Sequence, residues 1–149
     1  MHRFAFAAIV ALIALAPVPS VAQTPADSAA IRQAALDYIE GYYTGDAARM
    51  GRAVHPELAK RIVRTDSLGG SFLSTMGASQ LVSGTRAGYG REVPAGDQRT
   101  DVTVLDVYHD VASARIDAGA WIDYLHLARV DGRWVIVNVL WATPPGAGS

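Results

Sequence analysis

Residues 121–141, WIDYLHLARVDGRWVIVNVLW, decide the fold because they predict two long strands joined by a tight turn. Asp131-Gly132 is a type I′ hairpin signal, since both central positions of that turn need φ above zero and Asp-Gly tolerates it. Branched and aromatic apolar residues fill the runs on either side of the turn. The stretch therefore predicts a β-hairpin in the middle of a sheet, covered on both faces.

The register of this hairpin follows from counting outward from a two-residue turn. The pairs predicted on the core face are Arg129–Trp134, Leu127–Ile136, Leu125–Asn138 and Asp123–Leu140. Because side chains alternate along a strand, a slip of one residue would exchange the two faces completely. In this register Asp123 and Asn138 are diagonal neighbours on an otherwise apolar face, with about 7–8 Å between their backbones.

Further strands are predicted upstream of the hairpin. Residues 102–108 and 112–117 alternate with period two and fit a hairpin that turns at His109-Asp110. Residues 60–64 are compatible with a first strand, and residues 66–75 with a loop. The two predicted hairpins, over residues 102–117 and 121–141, together predict a four-stranded antiparallel meander. Its predicted core face comprises Leu105, Val107, Ala112, Ala114, Ile116, Leu125, Leu127, Trp134, Ile136 and Leu140.

Helices are predicted before the strands. Thr24-Pro25-Ala26-Asp27 has the cap, the proline and the acid of a helix start, and Thr44-Gly45 predicts its end. Asp46 caps a second, shorter helix that runs to about His55. Residues 80–86 predict a third. Helices followed by an antiparallel sheet indicate the α+β class.

The ends and the composition of the chain bound its class. Residues 1–22 predict a signal peptide, with a positive start, an apolar run over residues 4–16 and small residues before Gln23. The remaining residues, 23–149, predict one domain, periplasmic or secreted and free of the membrane once the signal is removed. The chain has no cysteine, which excludes thiol chemistry, and its net charge of −1 offers no polybasic surface for nucleic acid.

These features resemble the nuclear transport factor 2-like superfamily, and within it the branch named putative lumazine-binding proteins. The resemblance is carried by YLHL at residues 124–127, by DGRWVIVNVLW at residues 131–141 and by His55-Pro56 after the second helix. It implies a cone-like fold with three N-terminal helices packed on a curved, mostly antiparallel sheet around a pocket. The name of the branch implies a pterin-like ligand. The superfamily contains isomerases, cyclases, dehydratases and binding proteins without activity, so the fold alone does not fix the function.

Asp123 is the candidate catalytic residue. A carboxylate among Ile116, Leu140 and Trp121 would have a raised pKa and could act as a general acid or base. The alternative is a structural carboxylate that reaches water or caps a backbone amide near the strand end. The candidate ligand-binding residues are Tyr38, Tyr42, His55, Trp121, Asp123 and Asn138.

The remaining histidines predict no further site. His126 lies three residues from Asp123 on a strand, so the two side chains point to opposite faces and cannot form a dyad. The histidines are scattered without the spacing of metal ligands, and we expect neither a metal nor a cofactor.

Three functional classes stay open at this point. The first is an exported domain that binds a small organic ligand in an apolar pocket between helices and sheet. The second is a cofactor-free isomerase, cyclase or dehydratase that uses Asp123, and the third is a structural domain whose own side chains fill the pocket. An apolar strip on the other sheet face also predicts a homodimer, formed through Tyr124, Val135, Val137, Val139 and Trp141.

Overall fold

The computed structural model describes residues 24–145, in which three α-helices pack on a six-stranded sheet. The helices are α1 (Pro25–Thr44), α2 (Ala47–Ala53) and α3 (Ala78–Ala87), and a short 3₁₀ helix spans Tyr89–Glu92. The strands are β1 (Val54–Thr65), β2 (Ser71–Gly77), β3 (Asp101–Tyr108), β4 (Val111–Asp117), β5 (Ile122–Val130) and β6 (Arg133–Ala142). The predicted signal peptide lies outside the described residues.

The helix start at Thr24 is confirmed. The Thr24 hydroxyl accepts a hydrogen bond from the backbone amide of Asp27, and Pro25 occupies the first turn. Gly45 ends α1 with φ of 69°, a conformation that glycine adopts without strain. The predicted order of helices is wrong in one respect: α3 follows β1 and β2 in the chain, so two helices, rather than three, precede the sheet.

The sheet has the order β2-β1-β6-β5-β4-β3 and is mixed, because β1 runs parallel to β6 while all other neighbours are antiparallel. The predicted meander corresponds to β3–β6. The prediction of a loop over residues 66–75 is wrong for its second half, since β2 begins at Ser71. This edge strand is mostly exposed and rich in serine, threonine and glycine, so it lacks the alternation that marks a half-buried strand.

The hairpin of β5 and β6 turns as predicted, with φ of 49° at Asp131 and 75° at Gly132. The predicted pairs Arg129–Trp134 and Leu127–Ile136 are confirmed. Beyond them a β-bulge at Val137 shifts the register by one residue, so Asp123 pairs with Trp141 and His126 with Asn138. The bulge reverses the predicted faces for the rest of β6.

This reversal changes the core. Leu140 was predicted to lie in the core, but it is 47% exposed on the outer face, and Val139 is fully buried in its place. A second bulge, in β3 between Val104 and Asp106, has the same effect and leaves Leu105 exposed. The other predicted core positions of β4, β5 and β6 are buried: Ala112, Ala114, Ile116, Leu125, Leu127, Trp134 and Ile136. They pack beneath Ile31, Ala35 and Ile39 of α1.

The composition of the predicted dimer strip is also corrected. Val139 and Trp141 belong to the inner face, because the bulge moved them there, and Val135 is buried. The exposed apolar residues that the outer face carries around β1, β2, β5 and β6 are Val63, Leu73, Tyr124, Val130 and Leu140. None of the helices in residues 24–145 has the length and hydropathy needed to cross a membrane.

Candidate functional site

A cavity of about 460 Å³ lies between α1, α3 and the inner face of the sheet. Its walls are Tyr38, Ile39, Tyr42, Lys60, Met76, Gln80, Leu81, Ser83, Gly84, Ala87, Tyr89, Trp121 and Trp141. The volume falls in the range of about 300–1,000 Å³ that is usual for small-molecule sites. Apolar and aromatic groups dominate the walls, and the polar groups among them are few.

The aromatic walls are held in fixed positions. The ring of Trp121 meets Tyr42 edge-on, with 5.9 Å between centroids and 90° between planes. Behind it Tyr43 packs at 6.0 Å and donates its hydroxyl to the carbonyl oxygens of Arg99 and Ala118. This packing fixes the positions of Tyr42 and Trp121, both of which line the cavity.

Two close approaches position Tyr89 at the same cavity. A Cβ added at Gly90 would lie 2.1 Å from the carbonyl oxygen of Tyr42, so the 3₁₀ helix contacts the end of α1 more closely than any side chain would allow. A Cβ at Gly84 would lie 3.2 Å from the ring of Tyr89. The two glycines therefore let the 3₁₀ helix approach α1 and let the ring of Tyr89 approach α3 at the cavity wall.

A buried ionic network lies beside the cavity and contributes Lys60, the charged residue of its wall. Asp123 is completely buried and accepts hydrogen bonds from Lys60 Nζ at 2.8 Å, Trp121 Nε1 at 2.9 Å and the Tyr38 hydroxyl at 3.3 Å. The ammonium of Lys60 also donates to the Tyr38 oxygen at 2.5 Å and lies 4.9 Å from the centre of the Trp141 ring. Every oxygen of the carboxylate has a partner, so the burial of its charge is compensated.

Burial, followed by the charge of Asp123, raises the pKa of Tyr38 well above its usual value of 10.0. The hydroxyl of Tyr38 is consequently protonated throughout the neutral range and remains a hydrogen-bond donor. Burial also raises the pKa of Tyr42, with a smaller contribution from Glu92. The hydroxyls of Tyr38 and Tyr42 are therefore neutral groups in the neutral pH range.

The structure brings together some of the predicted site residues. Tyr38, Tyr42 and Trp121 line the cavity. Asp123 lies behind the wall and accepts hydrogen bonds from three of the lining residues, Tyr38, Lys60 and Trp121. Asp123 has no exposed surface, three donors surround its carboxylate, and it does not itself line the cavity. This placement favours a supporting role for the carboxylate over direct acid–base chemistry.

Asn138 and His55 do not belong to this cavity, which corrects two predictions. Asn138 lies on the outer face because of the bulge at Val137, where its amide oxygen accepts from Arg61 at 2.6 Å. It is therefore no neighbour of Asp123. His55 is the second residue of β1, since α2 ends at Ala53, and its Nδ1 accepts from the amide of Glu57 at 3.2 Å.

Sequence reasoning missed Lys60, the cation of the site. A signal for it exists: Lys60 lies between Leu58 and Ile62 at a spacing of two, which puts a lysine on an apolar strand face. A long charged side chain in that position is either paired inside or extended to a surface. Trp141 was missed because the bulge could not be predicted. In the described part of the chain, no group of three or more histidine, aspartate or glutamate side chains is arranged to hold a metal ion.

The fold matches solved structures of NTF2-like proteins, which defines the class. An NTF2-like protein of unknown function from Shewanella baltica is 21% identical, with a TM-score of 0.61 over 83% of this chain and 99% of its own. One from Silicibacter pomeroyi is 16% identical, with a TM-score of 0.59 over 82% and 100%. A third, from Novosphingobium aromaticivorans, has a cystatin-like fold and is 18% identical, with a TM-score of 0.59 over 81% and 84%.

At these identities the three structures show a shared fold and nothing of a shared ligand. The family is shown by sequence: the model of the family described as "Putative lumazine-binding" matches residues 26–142. The chain therefore belongs to this family, as the final hairpin predicted. No curated protein matches the chain.

Proposed function

We propose that this chain is an exported domain that binds a small organic ligand in the cavity between its helices and its sheet. One observation carries the proposal: a cavity of about 460 Å³ has aromatic walls that are packed from behind and a single compensated ionic network on one side. A domain with a purely structural role would fill such a space with its own side chains, because empty apolar volume costs stability.

The description of the family names lumazine, and a pterin-like heterocycle is accordingly the first ligand to test. We expect a ligand that binds only the folded protein to raise its melting temperature in a concentration-dependent way. A thermal-shift screen of pteridines, other aromatic heterocycles, steroids and polyketide-like acids measures this on the protein without residues 1–22. The proposal is contradicted when no compound of any class raises the melting temperature.

A pair of variants shows whether a compound binds in the cavity. Ser83 and Ser79 lie one turn apart on α3 and both are exposed, but Ser83 lines the cavity and Ser79 does not. Ser83→Trp adds an indole to the cavity wall, so we expect it to abolish the shift. Ser79→Trp is the matched control and should leave the shift intact. Equal loss in both variants would place the binding elsewhere.

The alternative function is a cofactor-free isomerase, cyclase or dehydratase with Asp123 as its acid or base. In this alternative the proton would pass through Lys60 or the hydroxyl of Tyr38, because both residues bond to Asp123 and line the cavity while Asp123 does not. Asp123→Asn distinguishes the two functions once a ligand is known. Turnover that disappears while binding persists would establish the enzyme.

Export from the cytoplasm, to the periplasm or the exterior, is proposed from the sequence of residues 1–22. The intact mass of protein recovered from an exporting host tests it. We expect an amino terminus at Gln23, or at its cyclised form. A mature protein that retains residues 1–22 would argue for an uncleaved anchor.

We also propose a homodimer formed through the outer face of the sheet. The support is an exposed apolar patch across neighbouring strands, centred on Leu140 and Tyr124. Leu140→Lys should convert the dimer to a monomer in light scattering. Leu105→Lys, an equally exposed leucine on β3, is the control. A wild-type protein that is monomeric at high concentration would contradict the dimer.

A further inference from the structure

We propose that Lys60 is the residue that selects the ligand, and that it selects a neutral planar aromatic compound with a ring carbonyl over an aromatic anion. This inference rests on the proposed binding function and adds to it the charge of the ligand and the group that recognises it. It follows from the hydrogen-bond capacity of Lys60, from the position of Asp123 and from the shape of the aromatic walls.

The first step concerns donors. A lysine ammonium has three hydrogens. Within the described residues, Tyr38 and Asp123 accept from Lys60, which leaves one hydrogen for another acceptor. The side chain of Lys60 is 11% exposed and lines the cavity, so an atom in the cavity can reach this ammonium. A ligand that brings an acceptor to this point would gain a hydrogen bond to the ammonium.

The second step concerns charge. Of the residues that line the cavity in the described part of the chain, Lys60 alone carries a full charge, and Asp123 behind it neutralises that charge at 2.8 Å. A carboxylate in the cavity would be attracted by Lys60 and repelled by the nearby Asp123, so its loss of hydration would not be compensated. A carbonyl oxygen accepts the same hydrogen bond and loses far less hydration. The network therefore favours the neutral acceptor.

The third step concerns shape. Lys60 Nζ lies over the ring of Trp141 at 4.9 Å, and Trp121 and Tyr42 stand at right angles to each other nearby. Flat rings gain most from such walls by stacking or by edge contacts. We expect a ring that packs on Trp141 to hold an in-plane acceptor beside the ammonium, because the ammonium lies over the same indole.

Three bicyclic probes of similar size separate these effects. Coumarin offers a ring carbonyl, 2-naphthoate offers a carboxylate, and indole offers no acceptor lone pair. Ligand-observed NMR titration of each probe gives its affinity for the wild-type protein. We expect coumarin to bind roughly tenfold or more tightly than either of the others, which corresponds to one hydrogen bond to a charged group.

A double variant tests whether Lys60 is responsible. Lys60→Met alone would leave Asp123 buried without its counter-ion and could unfold the protein, whereas Lys60→Met with Asp123→Asn removes both charges and keeps an acceptor for Trp121 Nε1. In the folded double variant we expect coumarin to lose its advantage over indole.

The outcomes separate the two proposals. If none of the probes binds and the thermal-shift screen also finds no ligand, the binding function itself fails. If probes bind but 2-naphthoate binds as tightly as coumarin, the selection for a neutral acceptor is refuted. If the double variant keeps the full preference for coumarin, Lys60 is not the selecting residue.

Discussion

The two ends of the hairpin formed by β5 and β6 carry the same chemical groups in different surroundings. At the turn end, Asp27 accepts from Trp134 Nε1, from Arg129 and from the hydroxyl of Thr24. At the open end, Asp123 accepts from Trp121 Nε1, from Lys60 and from the hydroxyl of Tyr38. In both, the cation lies 4.9 Å from the centre of an indole ring, Trp134 for Arg129 and Trp141 for Lys60.

The difference between them lies in burial and in adjacent space. The side chains of Asp27 and Arg129 are 18% and 34% exposed, and these residues fasten the start of α1 to the sheet beside the solvent. The side chains of Asp123 and Lys60 are 0% and 11% exposed, and a cavity opens next to them. The same set of groups is therefore a structural clamp at one end and a candidate binding site at the other.

The largest expected effect is that of removing the buried cation. Lys60→Met leaves the carboxylate of Asp123 inside the protein without its counter-ion, which should lower the free energy of unfolding by about 3–5 kcal/mol. Arg129→Met is the matched change at the turn end and should cost far less, because solvent replaces the lost partner. Urea unfolding of the two variants measures both. Equal losses would show that burial does not distinguish the clusters.

The size of the interaction within the buried pair is the next comparison. Lys60→Met combined with Asp123→Asn removes both charges. We expect the free energy of unfolding of this double variant to fall by less than the sum of the losses in the two single variants. The difference is the coupling energy of the ion pair, measured by the same unfolding experiments. Additive losses would mean that Lys60 and Asp123 are not energetically paired in the folded protein.

The alkaline pH dependence of stability reports the open end. The folded protein holds the pKa of Tyr38 above its unfolded value, so this contribution is fully present below about pH 10 and is lost as the pH rises toward the folded pKa. We expect the free energy of unfolding to fall above about pH 10, and to fall less steeply in Tyr38→Phe. Some dependence remains in that variant, because burial also raises the pKa values of Tyr42 and Tyr43. Parallel curves would contradict the assignment.

The acid pH dependence reports the turn end and should be the smallest effect. The hydrogen bonds from Thr24 and Trp134, together with Arg129, lower the pKa of Asp27 below its usual 3.8. This contribution is present above pH 3.8 and is lost as the pH falls through the lower, folded pKa. Acid unfolding of Asp27→Asn should therefore show a shallower pH dependence than the wild-type protein. A dependence that does not change would show that the clamp contributes nothing.

The difference between the two ends also explains what the sequence could predict. Near Asp131-Gly132 the turn chemistry fixes the register, and the pairs up to Leu127–Ile136 were predicted correctly. Farther out, the bulge at Val137 depends on how β6 fits between β1 and β5, and no local pattern announces it. Asn138, Leu140 and Trp141 were consequently assigned to the wrong faces.

The candidate site was predictable to the same extent. The apolar stripe of α1 predicts Tyr38 and Tyr42, and the alternation of β5 predicts Asp123. The sequence was therefore sufficient to predict the site residues of α1 and β5. The rest of the wall comes from β1, β2, β6, α3 and the 3₁₀ helix, which only long-range packing and strand pairing bring to the site. The spacing of Leu58, Lys60 and Ile62 marks a lysine on an apolar strand face, but only the parallel pairing of β1 with β6 places it beside the cavity.

The most direct test of the account uses the three tryptophans of the chain, because Trp121 and Trp141 line the cavity and Trp134 belongs to the clamp at the turn end. Each indole N–H gives its own resonance in protein labelled with nitrogen-15. Titration with coumarin, or with any hit from the thermal-shift screen, should move the resonances of Trp121 and Trp141 and leave that of Trp134 in place. A titration that moves Trp134 alone, or all three equally, would contradict a binding site at the open end of the hairpin.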